Sequence, residues 1–383
     1  MGYRTSRSVK NQSTWDFAQR VCARNSMKMF FPTTILAVVI MPFCQNKDND
    51  IIGWIGLGVT LAQLISYGII LLKKFGLNVI FMEHARKGLS YISEHPDKRA
   101  EDLIQAFKDD SIDMILCAIG GDDTYRLLPY LFDNDELKNA VNQKIFLGFS
   151  DTTMNHLMLH KLGIKTFYGQ SFLADICELE KDMLPYTEKY FLELIRTGKI
   201  SKIEPSDVWY EERKDFSIDA IGTKRIMHDD TGFRLLQGNA VFKGEILGGC
   251  IESIYDIFDN GYHSDSVEMC QKYELFPNID DWKDKILLIE SSEEKATPDK
   301  YRKMIKAIKD TGIFDVISGV LVGKPMDNVF AEEYGQILVE VIDNPKLPIV
   351  CNVNIGHAIP RAIIPFGVKA TVDTYRQVIE FDV

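Results

Sequence analysis

The chain has 383 residues, 46% of them apolar and 26% charged, which is the composition of a folded chain large enough for two domains and excludes a wholly disordered one. The net charge of −11 is unevenly placed: residues 1–47 carry +6 and the remainder −17. A body that acidic repels nucleic-acid phosphates, so no DNA or RNA partner is expected. The seven cysteines are odd in number and widely spaced, with no C-x-x-C pair, which points to a reducing compartment and free thiols.

The N-terminal segment stands apart. Residues 29–44 (MFFPTTILAVVIMPFC) form an apolar run after a basic stretch, as in a signal peptide, although Pro32 and Pro42 are poor for a helix there. Residues 51–72 contain no charge and are long enough for a membrane span. Four glycines and several polar side chains favour instead a buried strand and core helix, stopped by Gly76 and followed by a strand over Leu77–Phe81. A soluble body is the expectation, and anchoring through residues 29–72 is the rival.

Beyond residue 77 the pattern alternates. A helix is predicted over Pro96–Lys108, a buried strand over Ile112–Ile119 and a strand over Lys144–Phe149. A helix follows, opened by Ser150-Asp151 as caps and stopped at Gly163. Residues 199–240 are polar and irregular and read as a connector or loop over the active site. Further on come strands Lys285–Ile289, Val316–Val322 and Pro348–Val353, with helices from Pro298 and over Glu332–Ile342. The terminal KATVDTYRQVIEFDV alternates like antiparallel β. The expected class is α/β, built of mostly parallel sheet.

The sharpest chemical feature is IGGDDTYRLLPYL, residues 119–131. A buried strand breaks at two glycines and enters a helix near Thr124. Such a turn presents a hydroxyl, with backbone N–H groups nearby for an oxyanion, or it is simply a turn capped by aspartate. A hydroxyl nucleophile needs a base and an orienting acid. His357 in NIGHAIPRAIIPFG follows an apolar strand, the place where α/β sheets put ligands. Glu252 in LGGCIESIYDIF follows a second Gly-Gly and opens a helix, where it serves as acid or as a helix-dipole carboxylate. His156 and His160 have the spacing of a metal pair, but H-E-x-x-H is not met and core roles are expected. Glu293-Glu294 reads as a solvated loop, and Trp209 either stacks on a substrate ring or covers the linker.

Together with IFLGFSDTTMNHLMLHKLGIKTFYGQSFL and LLIESSEEKATP, these motifs resemble, in order and over about four fifths of the chain, the serine peptidase family of bacterial LD-carboxypeptidases and microcin C immunity peptidases. The QSFL and GGCIE versions lean towards the immunity branch. The resemblance implies a Rossmann-like N-terminal domain with mostly parallel sheet, carrying the nucleophile, and a smaller mixed β/α C-terminal domain carrying acid and base. On this chain the divisions fall at 1–47 (leader), 48–175, 176–239 (connector) and 240–383.

By position the resemblance makes Thr124 the nucleophile, Glu252 the acid and His357 the base. Amides near Gly121 and Tyr125 become oxyanion donors, and Trp209 and Asp123 are the substrate contacts. It implies a metal-independent cytoplasmic homodimer without cofactor. Such an enzyme cleaves a murein tetrapeptide in recycling, or a peptidyl-nucleotide antibiotic in resistance. Two departures stand out. Thr replaces the family's Ser, so a catalytically impaired homologue that sequesters such a ligand is the alternative. The uncharged GWIGLGVTLAQLIS also stands where the family's first strand normally leads to a Ser/Pro loop.

Overall fold

In the computed structural model the described residues are 65–180, 182–216 and 218–382. The expectations for residues 1–64 lie outside them. Among the described residues, no helix is long and apolar enough to cross a membrane.

The chain separates into two compact units. Of the described residues, one comprises those within 65–79, 176–183 and 213–225; the other comprises those within 80–175, 184–212 and 226–382. In the first, a helix ends at residue 74 in a Schellman turn. Leu77 N donates to Leu72 O and Gly76 N to Lys73 O, both at 3.0 Å, with Gly76 at φ +88°. The helix stop read from Gly76 is therefore correct. The strand expected over Leu77–Phe81 is not formed: residues 77–82 belong to no helix or strand. An apolar run becomes a strand only where a neighbour accepts its ladder of hydrogen bonds. A buried cluster around Glu178 also lies in this unit. Its carboxylate pairs with Arg213 at 3.2 Å and Arg225 at 2.8 Å, and burial is outweighed by those guanidinium charges, so its pKa is lowered.

Among the described residues the second unit holds two larger sheets and a two-stranded pair. Strands β1 (Met114–Leu116), β2 (Ile145–Gly148) and β3 (Thr166–Tyr168) run parallel. The wider sheet uses β4 (Lys202–Ile203), β7 (Arg234–Gln237), β8 (Val241–Cys250), β9 (Ile286–Glu290), β10 (Gly319–Gly323), β11 (Ile349–Val353), β13 (Lys369–Asp373) and β14 (Val378–Phe381). Its order is β4-β14-β13-β8-β9-β10-β11-β7, with β8 to β11 parallel and the flanks antiparallel. A separate pair joins β5 (Val208–Tyr210) to β6 (Met227–Asp229). The remaining strand, β12 (Ile364–Phe366), pairs antiparallel with β3. The last quarter of the chain thus contributes to the first sheet.

Most elements fall where periodicity put them. Helix Pro96–Lys108 buries Ala100, Ala106 and Phe107, with proline in its first turn where the missing N–H costs nothing. Helix Pro298–Asp310 is capped by Thr297, whose side chain accepts from Lys300 N. By contrast, the long strand expected over Ile112–Ile119 shortens to three half-buried residues, and Ile119 is 60% exposed. Among the described residues, β1 is an end strand of its sheet and has one neighbour, β2, to hold its ladder.

Candidate active site

The turn after β1 enters a 3₁₀ helix, Thr124–Leu127, with Thr124 and Tyr125 buried. Gly120 is required there: a Cβ would lie 2.6 Å from Ser150 Cβ. That packing brings up Asp151, whose Oδ2 accepts the Thr124 N–H at 2.9 Å. The Asp151 carboxylate therefore caps the Thr124 turn and not, as expected, the helix that follows it. Burial raises the Asp151 pKa, and hydrogen bonds from the Thr124 side chain and backbone oppose the rise. With its N–H committed to Asp151, Thr124 is not an oxyanion donor through its own amide. Asp123, expected to meet substrate, accepts from Arg99 at 2.6 Å. Tyr125 donates its hydroxyl to Asp265 at 2.5 Å, and Gly121 lies beside Asp151, where a Cβ would be 3.6 Å from Oδ2.

His357 follows β11 in a buried loop. Its Nδ1 lies 2.7 Å from Glu290 Oε2, which also accepts the His357 backbone N–H at 3.0 Å. The other Glu290 oxygen accepts the Tyr168 hydroxyl at 2.5 Å, and that hydroxyl accepts Ser150 N–H at 3.1 Å. Gly356 makes the approach possible, because a Cβ there would lie 2.1 Å from the Glu290 carboxyl carbon. The carboxylate that orients His357 is therefore Glu290, and the assignment of Glu252 to that task is corrected. Glu252 is buried beside it, with Oε2 accepting from Ser292 N at 3.0 Å and from the Cys250 thiol at 3.3 Å. Burial and then the Glu290 charge raise its pKa.

The solvated-loop reading of Glu293 also needs correction. Its side chain is 58% exposed, yet Oε2 lies 2.9 Å from His357 Nε2. The imidazole is thus held between two carboxylates. Burial alone would lower its pKa, but the charge and hydrogen bond of Glu290, followed by those of Glu293, raise it to about 10. The hydrogen bond from His357 brings Glu293 down to about 2. Both imidazole nitrogens are occupied by carboxylates, and Asp151 binds the Thr124 backbone N–H.

His156 is a core residue. Nδ1 lies 2.7 Å from Thr166 Oγ1 and Nε2 3.1 Å from Gly148 O, and burial lowers its pKa to about 3. Trp209, on β5, stacks on His228 of β6 with ring centroids 4.3 Å apart. Lys324 Nζ lies 5.5 Å from the Trp209 ring centre. A cavity of about 150 Å³ opens there, lined by Trp209, Arg234, Lys324, Asn328, Tyr334 and Cys351.

Two residues of this site were missed in the sequence. Glu290 ends a fully buried strand, ILLIE, and an acid at the C-terminal end of such a strand is a signal in itself. Asp151 has the sequence signal of a cap alone, and nothing local marks its contact with Thr124.

Residues 56–169 match the LD-carboxypeptidase N-terminal domain of peptidase family S66, and residues 243–372 match its C-terminal domain. The chain belongs to this family of peptidases. Among solved structures it is similar to an MccF-like protein from Streptococcus pneumoniae in complex with AMP, at 65% identity and a TM-score of 0.83, covering 84% of this chain and 94% of that one. Among curated proteins it is similar to the microcin C7 self-immunity protein MccF of Escherichia coli, 26% identical over 82% of this chain and 87% of the relative. A Bacillus subtilis protein named "Probable murein peptide carboxypeptidase" is 25% identical over 80% and 83%. Residues 1–73 match a different family, SdpI/YfhL.

Proposed function

We propose that this chain is a metal-independent hydrolase of amides in aminoacyl- or peptidyl-nucleotides, with Thr124 as nucleophile, His357 as base and Glu290 as the carboxylate that orients it. The observation that carries this reading is the buried His357–Glu290 pair at 2.7 Å, in a chain whose Thr124 stands at the family's nucleophile turn. In this mechanism neutral His357 takes the hydroxyl proton as Thr124 attacks the carbonyl. The oxyanion is held by backbone amides near Gly121 and Tyr125. The imidazolium then protonates the leaving amine, and water resolves the acyl-enzyme. Trp209 lines the cavity of about 150 Å³, and its ring suits a nucleotide, which offers a base to stack. The AMP held by the pneumococcal relative supports that choice over a murein peptide. A cytoplasmic homodimer is part of the proposal, tested by light scattering and cell fractionation.

Incubation with an aminoacyl-adenylate analogue and with a murein tetrapeptide, read by mass spectrometry, tests the reading. Cleavage of the nucleotide conjugate supports it. Tight binding without cleavage favours the second reading, a sequestering homologue, for which the Glu293 pairing of His357 is the supporting observation. Activity is expected to survive chelators; loss on chelation, restored by zinc, overturns the hydroxyl mechanism.

Thr124→Ser is expected to raise amide hydrolysis. The β-branched side chain has fewer rotamers, and its buried methyl competes for the space where the carbonyl must approach. Relief of about 1.4–2.8 kcal/mol corresponds to roughly 10–100-fold in rate. Loss of one buried methyl costs about 1 kcal/mol of stability at most. Steady-state rates of the two proteins on one substrate decide the matter, and a serine variant no faster than the parent removes the methyl as the limit. Trp209→Ala should weaken nucleotide affinity roughly 5–100-fold, by analogy with the loss of a base–aromatic stack. Calorimetry with AMP checks it.

A further inference from the structure

The thiol of Cys250 has no part in the proposed hydrolysis, yet it lies against its centre. Cys250 ends β8 and is in register with Glu290 on the parallel neighbour β9. One donor atom from each of Cys250, Glu290 and His357 lies within 4.8 Å of the others, and all three residues are buried. A fourth donor adjoins them. Glu252 Oε2 accepts the Cys250 thiol at 3.3 Å, and Glu252 Oε1 is buried with no hydrogen-bond partner among the described residues.

A thiolate, an imidazole and two carboxylates make a mixed sulfur, nitrogen and oxygen set. That is the set tetrahedral zinc takes, with metal–donor distances of about 2.0–2.3 Å. Donors around such an ion stand about 3–4 Å apart, so the observed cluster needs only a small contraction. We infer that Cys250, Glu290 and His357, with Glu252 beside them, form an inhibitory site for a divalent transition-metal ion of the zinc class. The ion enters hydrated, and its waters are displaced by the side chains. The Cys250 thiol proton and the His357 imidazolium proton leave to solvent. A sulfur–metal and a nitrogen–metal bond form, and nothing is oxidised or reduced. With its nitrogen on the metal, His357 no longer accepts a proton from Thr124. Hydrolysis without metal and inhibition by metal are therefore compatible.

The test uses the full chain and cobalt(II) as the spectroscopic probe. One equivalent should give a thiolate-to-cobalt charge-transfer band with tetrahedral visible bands, displaced by zinc(II). In two buffers of different ionisation enthalpy, calorimetry should show proton release on zinc binding. Cys250→Ser, and Cys250→Ala should the serine variant fold poorly, should lose the charge-transfer band and weaken zinc binding at least about tenfold. Absence of a thiolate band in the parent, zinc binding without proton release, or a Cys250 variant with unchanged spectrum and affinity overturns the inference. None of these readouts depends on hydrolysis, so failure of the proposed reaction leaves the site testable.

Discussion

Glu290→Gln should lower turnover by about 10³–10⁴-fold, the size of effect seen when the acid of a hydroxyl–histidine–carboxylate set is made neutral. The amide keeps the shape of the carboxylate but cannot stabilise the imidazolium, and it favours the wrong tautomer at Nδ1, which lies 2.7 Å away. It also weakens the Tyr168 hydrogen bond at the second oxygen. Glu252→Gln, whose carboxylate touches Ser292 N and Cys250 and not the ring, should stay within about tenfold of the parent, an expectation for a group outside the acid–base pair. Single-turnover rates of the two variants on one nucleotide conjugate decide between them. Equal losses, or a larger loss at Glu252, would restore the assignment read from sequence.

The second large effect concerns pH. With His357 raised to about 10, the imidazole is protonated at neutral pH and only about one molecule in a thousand carries the free base. The rate should therefore climb about tenfold per pH unit from neutrality and level off near the raised value. Glu293→Gln removes one of the two clamping charges. An opposite charge at hydrogen-bond distance moves a pKa by about 1–3 units, so the limb should shift down by that much. The rate at pH 7 should rise roughly 10–500-fold, as the free-base fraction grows. The readout is the pH dependence of kcat/KM for both proteins; superimposable profiles would remove Glu293 from the site.

Stability moves with the same linkage. The raised His357 pKa contributes stability that is fully present below the ordinary histidine value of 6.5 and is lost as pH rises through about 10. The lowered Glu293 pKa contributes stability that is present above 4.5 and is lost as pH falls through about 2. Glu293→Gln should therefore be less stable than the parent at pH 7 and converge with it at the acid end, as followed by thermal unfolding.

The individual elements were legible because their causes are local. Helix Pro96–Lys108 carries its proline start and its apolar stripe within thirteen residues, and helix Pro298–Asp310 has its threonine cap next to it. The turn at Thr124 was legible for the same reason: the two glycines and Thr124 lie within five residues. The fate of Leu77–Phe81 was not legible, since a strand exists only with a partner and its own residues do not say whether one is present. The partner of His357 was out of reach too. Glu252 and Glu290 both stand at ends of neighbouring parallel strands, β8 and β9, and either fits the role by position in the chain. What chose Glu290 was the loop after β11, where Gly356 admits that carboxylate to within contact of the ring, and Tyr168, which fixes its other oxygen. Asp151 and Glu293 came to Thr124 and His357 in the same way, from segments 27 and 64 residues distant. Local sequence thus determined the helices and the turn. Which charges meet was decided by chain packing, because electrostatic pairing depends on distance through space, and spacing along the chain does not set that distance.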